Sequence, residues 1–250
     1  MNNSEVFHFK DFTRENYRRL IRLAKSKYVF RSFNNFQRDE RFIIWRHDVD
    51  FSMHGARKLA RIEKDEDISA MYFLHLHNPF YNLLEQDVTD CVRDILEMGH
   101  EIGLHFEVGY YHIHSAEELQ QYLDFERHIL QDIFQKEINV FSFHMPVEST
   151  LTYRAWQYAG MINTYSDFFQ TQVGYCSDSN GYWRNRRLEN VLSEATDERL
   201  QVLTHPAWWQ DTVMSPVERL EHCIQGRAEH TRQWYKQVTQ EFDRSYIDWK

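Results

Sequence analysis

The sequence predicts an α/β protein whose parallel strands alternate with helices and close toward a (β/α) barrel. Three observations carry this reading. Short apolar, β-rich runs recur along the chain, each four to six residues long and mostly apolar on both faces, as strands covered on both sides must be. Amphipathic patterns with capping signals lie between them, so strand and helix alternate. Six or more such units within about 200 residues suit a barrel better than an open doubly wound sheet.

Thr13 is the expected N-cap of a helix over about 13–27, in which Tyr17, Leu20, Ile21, Ala24 and Tyr28 recur at helical spacing. The strand runs follow as RFIIW (41–45), SAMYFL (69–74), EIGL (101–104), NVFSF (139–143), MINTY (161–165) and LQVLT (200–204). Between them, Ser52 precedes MHGARKLARIEKDE, Thr89 precedes DCVRDILEM closed by Gly99, and Ser115 with Glu118 forms a capping box before LQQYLDFERHILQDIF. The last helix, about 215–242, has Ser215 as cap and Pro216 at its first position. Its stripe of Val217, Leu220, Ile224, Thr231, Trp234 or Tyr235, Val238 and Phe242 is expected to pack across the barrel or on a partner. There is no internal repeat, Gly/Ser linker or composition shift, so the expectation is one domain over 1–250, with its chemistry between about 40 and 210.

The 250 residues carry 42% hydrophobic and 16% aromatic side chains, ample for a folded core, and their 8 Gly and 4 Pro are too few for low-complexity linkers. A net charge of −9 disfavours nucleic acid and anionic membrane as partners. The three cysteines, Cys91, Cys176 and Cys223, form no CxxC pair and suit a reducing compartment. The N-terminus has no apolar signal core, and no stretch reaches the roughly 18 apolar residues of a membrane span, so a cytoplasmic location is expected. A serine or cysteine nucleophile is disfavoured, because Cys91 and Cys223 fall in helical patterns and no GxSxG occurs.

The 14 histidines are the compositional anomaly, and their placement matters more than their number. Five of the six strand runs end in histidine: His47 after FIIW, His75 after MYFL, His105 after EIGL, His144 after VFSF and His205 after LQVLT. In a parallel barrel all strand C-termini open onto one face, so these residues should converge there. His8, His54, His128, His222 and His230 lie in helical or terminal stretches and are expected to be solvated or packed, and His100 lies at the wrong end of its strand. His112 and His114 belong to a loop, YYHIH, that is placed to fold over the mouth.

Asp48 and Asp50 add carboxylates to this face, because residues i and i+2 of a strand point the same way. Two like charges a few ångströms apart call for a cation or a shared proton. A divalent metal resolves the conflict if one carboxylate binds it while the other stays free as a general base; capping of the following helix is the structural alternative.

The runs HDVD (47–50), GHEIGLHFE (99–107), FSFHMP (141–146), SDSNGYWR (177–184) and VLTHPAWW (202–209) resemble, in order and spacing, the motifs of the polysaccharide deacetylases, the NodB-homology fold of carbohydrate esterase family 4. The D-x-D form of the first motif resembles a divergent cytoplasmic branch. The resemblance implies a distorted (β/α) barrel of about seven parallel strands and metal-dependent hydrolysis of an amide. By position, Asp48 looks like the catalytic base, Asp50 and His105 like metal ligands, and His205 like the general acid. Where the family places another histidine four residues after His105, this chain has Gly109. His144 stands where the third motif usually has arginine, and is favoured to complete an Asp-His-His set ahead of Glu107 and His112. Asp178, Trp183 and Arg184 resemble the fourth motif, where the acid holds the imidazole and the indole walls the pocket.

The expected function is therefore removal of an N-acyl group from an amino sugar by one divalent metal, zinc first, on a nucleotide- or lipid-carrier-linked substrate in surface-polysaccharide or O-antigen assembly. Tyr110, Tyr111, Trp208 and Trp209 suit sugar stacking at the mouth. A catalytically inactive carbohydrate-binding homologue and a hydrolase of a different C–N bond are the alternatives, and a homo-oligomer stays open.

Overall fold

The computed structural model describes residues 2–244. In chain order its elements are α1 (Asn3–Val6), α2 (Arg14–Lys25), β1 (Val29–Arg31), β2 (Phe42–Val49), α3 (Met53–Asp65), β3 (Met71–Leu74), α4 (Gln86–Glu97), β4 (Glu101–Phe106), α5 (Val108–Tyr111) and α6 (Ala116–Phe134). There follow β5 (Val140–Phe143), β6 (Gln157–Tyr158), β7 (Met161–Asn163), α7 (Asp167–Gln172), β8 (Gly174–Ser177), α8 (Leu188–Glu194), β9 (Arg199–Thr204) and α9 (Pro216–Glu241).

One sheet holds all the strands in the order β6-β7-β5-β4-β3-β2-β9-β8, and every neighbouring pair is parallel except the β6–β7 hairpin. The run from β7 to β8 is thus seven parallel strands, curled into a half-barrel flanked by helices. Among the described residues no ladder joins β8 to the β6–β7 edge. The chain crossing that seam carries Phe168 and Phe169 into the interior cluster with Phe33, Phe42 and Phe73. β1 pairs with the first half of β2 (Val29↔Phe42 to Arg31↔Ile44), and β3 takes over at the second half (Arg46↔Met71 to Val49↔Leu74).

The period-2 alternation of β2 sorts its buried residues onto two faces. Ile43, Trp45 and Val49 join the cluster under the helices, while Phe42 and Ile44 fill the half-barrel. Further along the interior face the apolar residues give way to Arg46 and Asp48, so polarity rises toward the C-terminal mouth. β4 repeats the scheme, with Ile102, Leu104 and Phe106 outward and Gly103 and His105 inward. Gly103 is glycine for a steric reason: a Cβ there would lie 2.6 Å from the Phe73 ring and 2.9 Å from the Val140 carbonyl.

Thr13, Ser52, Ser115 and Ser215 each accept a bond from a first-turn backbone N–H, as their N-cap positions require, and Ser215 with Glu218 makes a full capping box. Three local expectations need correction. Thr89 lies inside α4, its hydroxyl donating to the Leu83 and Glu85 carbonyls, and the helix starts at Gln86. The Glu118 carboxylate returns to the His114 N–H and leaves the Ser115 box half made. The stripe of α9 does not pack across the barrel, which leaves only its partner alternative: Val217, Ile224, Trp234 and Phe242 face solvent, and Arg219 is the one buried residue of the helix. Arg219 donates to the Gly181 and Phe9 carbonyls and lies 4.4 Å from the Phe12 ring centroid, so α9 is anchored near its start by a charge.

Candidate metal and catalytic centre

The ends of β2, β4, β5 and β9 bring four side chains to one point in the mouth. Asp50 Oδ1 lies 3.2 Å from His105 Nε2 and 3.6 Å from His144 Nδ1, and these two nitrogens are 3.2 Å apart. From the opposite side His205 Nε2 stands 3.6 Å from Asp50 Oδ2. Burial alone would raise the Asp50 carboxyl, but the imidazoles of His105, His144 and His205 hold it well below the usual carboxylate range.

The three ligand-type atoms fit a divalent cation. Bonds of about 2.0–2.2 Å in a tetrahedral site place neighbouring ligand atoms roughly 3.3–3.6 Å apart, close to the 3.2, 3.2 and 3.6 Å that separate the atoms of Asp50, His105 and His144. Asp50 Oδ1 is buried and has no hydrogen-bond partner, although such oxygens are nearly always satisfied. Two nitrogens, one oxygen and an open fourth position are the donor set of a hydrolytic zinc site.

Asp48 faces the same space, 3.7 Å from His105 Nε2, and a buried arginine fixes it. Arg46 Nη2 donates to Asp48 Oδ1 (2.9 Å) and Oδ2 (2.8 Å), Arg46 Nη1 donates to Thr164 (2.9 Å), and its guanidinium lies over the Phe73 ring. Arg46 is a positioning residue that sequence reasoning missed. An i, i+2 pairing of Arg and Asp on one strand face was the available signal.

Asp178 does the same for His205. The His205 ring Nδ1 is 2.7 Å from Asp178 Oδ1, and the His205 backbone N–H and the Trp209 indole N–H also donate to this buried carboxylate. Burial opposes the imidazolium, but the Asp178 hydrogen bond and charge outweigh it, with Asp50 and Asp48 adding, and lift His205 to about 9.

His75 is a further neighbour, its ring 4.4 Å from that of His144. Its Nε2 lies 3.1 Å from the Glu107 carboxylate. Burial, then the charges of His105 and His144, push it down to about 3, so it faces the cluster as a neutral ring. Glu107 therefore reaches the cluster through His75. Gly109 and His112 lie in and just after α5 and supply no atom to it.

Several expected residues are elsewhere. His47 points to the other face of β2, where it meets Glu63, Tyr17 and Thr204. Trp183 stacks on Phe12 and donates its indole N–H to Asp11, which Arg187 also holds. Arg184 is exposed, on a surface with Tyr175 and Ser179. Trp208 and Trp209 are buried and present no stacking face at the mouth. Tyr110 is the exposed ring there, stacked on His77 at 3.5 Å, while His77 Nε2 bonds the buried Glu126 (2.8 Å) and Tyr111 (3.1 Å). His100, at the far end of β4, accepts from the Ala70 N–H and reaches the Ala60 carbonyl.

No family model matches the chain, and no curated protein matches it. Among solved structures it is similar to a CE4 family pseudoenzyme from Bacillus anthracis at 14% identity and a TM-score of 0.42, over 78% of this chain and 63% of that one. It is also similar to a family 4 carbohydrate esterase from Bacillus anthracis (14% identity, TM-score 0.45, 86% of each chain). A third is the chitin deacetylase from the fungal pathogen Colletotrichum lindemuthianum (14% identity, TM-score 0.42, 74% of this chain and 81% of that one). The chain thus spans under two thirds of the length of the first of these. The first two belong to the family whose motifs the sequence resembles. No described helix is long and apolar enough to cross a membrane.

Proposed function

We propose that the protein is a metal-dependent amide hydrolase that removes an N-acyl group from a nucleotide- or lipid-carrier-linked amino sugar, in the cytoplasm, during surface-polysaccharide or O-antigen assembly. The observation that carries the reading is the meeting of an Asp50–His105–His144 ligand set with a separately held carboxylate, Asp48, and a separately held imidazole, His205, around one space.

A divalent cation on Asp50, His105 and His144, zinc by its donor set, would supply Lewis-acid polarisation of the acyl carbonyl and a lowered pKa for water. The Asp48 carboxylate takes a proton from the water whose oxygen attacks the carbonyl carbon, and Arg46 keeps both its oxygens in place. His205, its far nitrogen held by Asp178, delivers its Nε2 proton to the departing nitrogen as the C–N bond breaks. The products are a free amine and a carboxylic acid. Tyr110, exposed beside His77, offers a ring face for the sugar.

Acid release from N-acetyl- and N-formyl-amino sugars, as nucleotide conjugates and as lipid-linked forms, tests the reading. Acetate or formate should appear with zinc-loaded protein and disappear on chelation. Protein that binds zinc and sugar yet releases no acid from the whole set would be the non-catalytic homologue instead.

A further inference from the structure

A second cluster of metal-binding side chains lies outside the mouth, where α3, α4 and α9 meet. Asp87 and Cys91 sit four residues apart on α4 and so share a face. His54, the second residue of α3, brings Nε2 to 3.0 Å from Asp87 Oδ2 and Nδ1 to 3.4 Å from Cys91 Sγ. One ligand atom from each of His54, Asp87 and Cys91 can be drawn within 4.8 Å of the others. From α9, His230 stands just outside this three-residue group, its Nε2 3.3 Å from Glu85 Oε1 and 3.7 Å from the same Asp87 oxygen, with its ring 6.0 Å from that of His54, so that it can turn from Glu85 to serve as a fourth ligand.

Asp87 is a carboxylate that no lysine or arginine among the described residues pairs directly. Arg227 is occupied by Glu85 (2.7 and 2.8 Å) and Arg57 by Asp94 (3.1 Å). Among the described residues, Asp87 has no lysine or arginine within 4 Å; its direct ionic partners are the His54 and His230 rings, with Arg227 acting from farther off. A cavity of about 220 Å³, lined by His54, His222, Cys223 and His230, opens beside the cluster and gives an ion a way in. Thiolate, imidazole and carboxylate together select a borderline-soft ion such as zinc over magnesium or calcium.

We propose that His54, Asp87, Cys91 and His230 form a second, structural metal site for a zinc-class ion, which ties α9 to the α3–α4 pair. Closed four-ligand sites of this kind hold elements together without an open position for substrate. Such a tie would add to the Arg227–Glu85 ion pair, since the one buried residue of α9, Arg219, lies at its start, eleven residues before His230.

Cobalt(II)-loaded full-length protein tests the proposal through metal content and absorption. The wild type should bind two equivalents and show a thiolate-to-cobalt charge-transfer band. Cys91→Ser should abolish the band, Cys223→Ser should keep it, and His54→Ala/His230→Ala should lose one equivalent. Asp50→Ala should lose the other equivalent and keep the band, which separates this site from the one in the mouth. The proposal is overturned if the wild type has no band, if the band survives Cys91→Ser, or if Cys223→Ser removes it. Should the double histidine variant not fold, the two single cysteine variants decide the matter.

Discussion

Glu63→Gln removes one charge from the layer beneath β2. Glu63, fully buried on α3, accepts from the Tyr72 hydroxyl (2.6 Å) and the Tyr17 hydroxyl and stands 2.6 Å from His47 Nε2, with His100 Nδ1 at 3.6 Å. His47 lies between Arg46 and Asp48, so this hub fixes the rotation of β2 just where it delivers both residues to the mouth. Burial alone would raise the Glu63 carboxyl, but His47, His100 and the Tyr17 hydrogen bond hold it down to about 2, against an ordinary 4.5. A folded-state value below the unfolded one stabilises the fold above pH 4.5, and that stability is lost as pH falls from 4.5 toward 2. The difference corresponds to about 3 kcal/mol, or roughly 6–12 °C in Tm for a chain of this size. Thermal unfolding followed by circular dichroism between pH 3 and 7 reads it. The Gln variant should melt about 6–12 °C lower at pH 7, with the gap narrowing below pH 4.5. A gap under about 2 °C, or one that stays constant down to pH 3, would refute the reasoning.

Three further outcomes follow from the same geometry. Gly103→Ala forces a methyl into the Phe73 ring and should cost about 1–3 kcal/mol, read as a lower denaturant midpoint; an unchanged midpoint would mean the interior is looser than its contacts indicate. Asp178→Asn removes the negative charge beside His205 Nδ1 and turns one of its two acceptor oxygens into a donor, and should lower kcat on the order of 10²-fold or more at unchanged metal content. Equal loss of metal would instead make Asp178 a support of the ligand set. Arg46→Met frees Asp48 and should reduce kcat more than KM, and a change confined to KM would place Arg46 in substrate binding.

Much of the fold was legible because strands buried on both faces are written as short apolar runs. The six runs fall on β2, β3, β4, β5, β7 and β9. β1, β6 and β8 were not legible: VFR is three residues long, QY is two, and GYCS is no apolar run and is held in place by its ladder to β9. The strand-end histidines His105, His144 and His205 do converge with Asp48 and Asp50, because each sits an even number of residues from an inward-facing position. His47 shares the strand end but has the other parity, so it turns to the helix layer and Glu63. Trp183 and Arg184 follow β8 on an irregular stretch whose course no periodicity constrains, and Asp11 draws the indole away. Arg46 read as the end of a strand because a buried arginine is rare. Its carboxylate, hydroxyl and aromatic partners, which are what make it tolerable, come from distant parts of the chain.

The proposed centre is a divalent ion held by Asp50, His105 and His144 beside a free base, Asp48. Zinc content and acid release measured together on wild type, Asp50→Ala and Asp48→Asn test it most directly. Asp50→Ala should bind one equivalent of zinc less than the wild type and release no acid, whereas Asp48→Asn should keep its zinc and still release none. An Asp50→Ala variant that keeps both its full zinc content and its activity would contradict it.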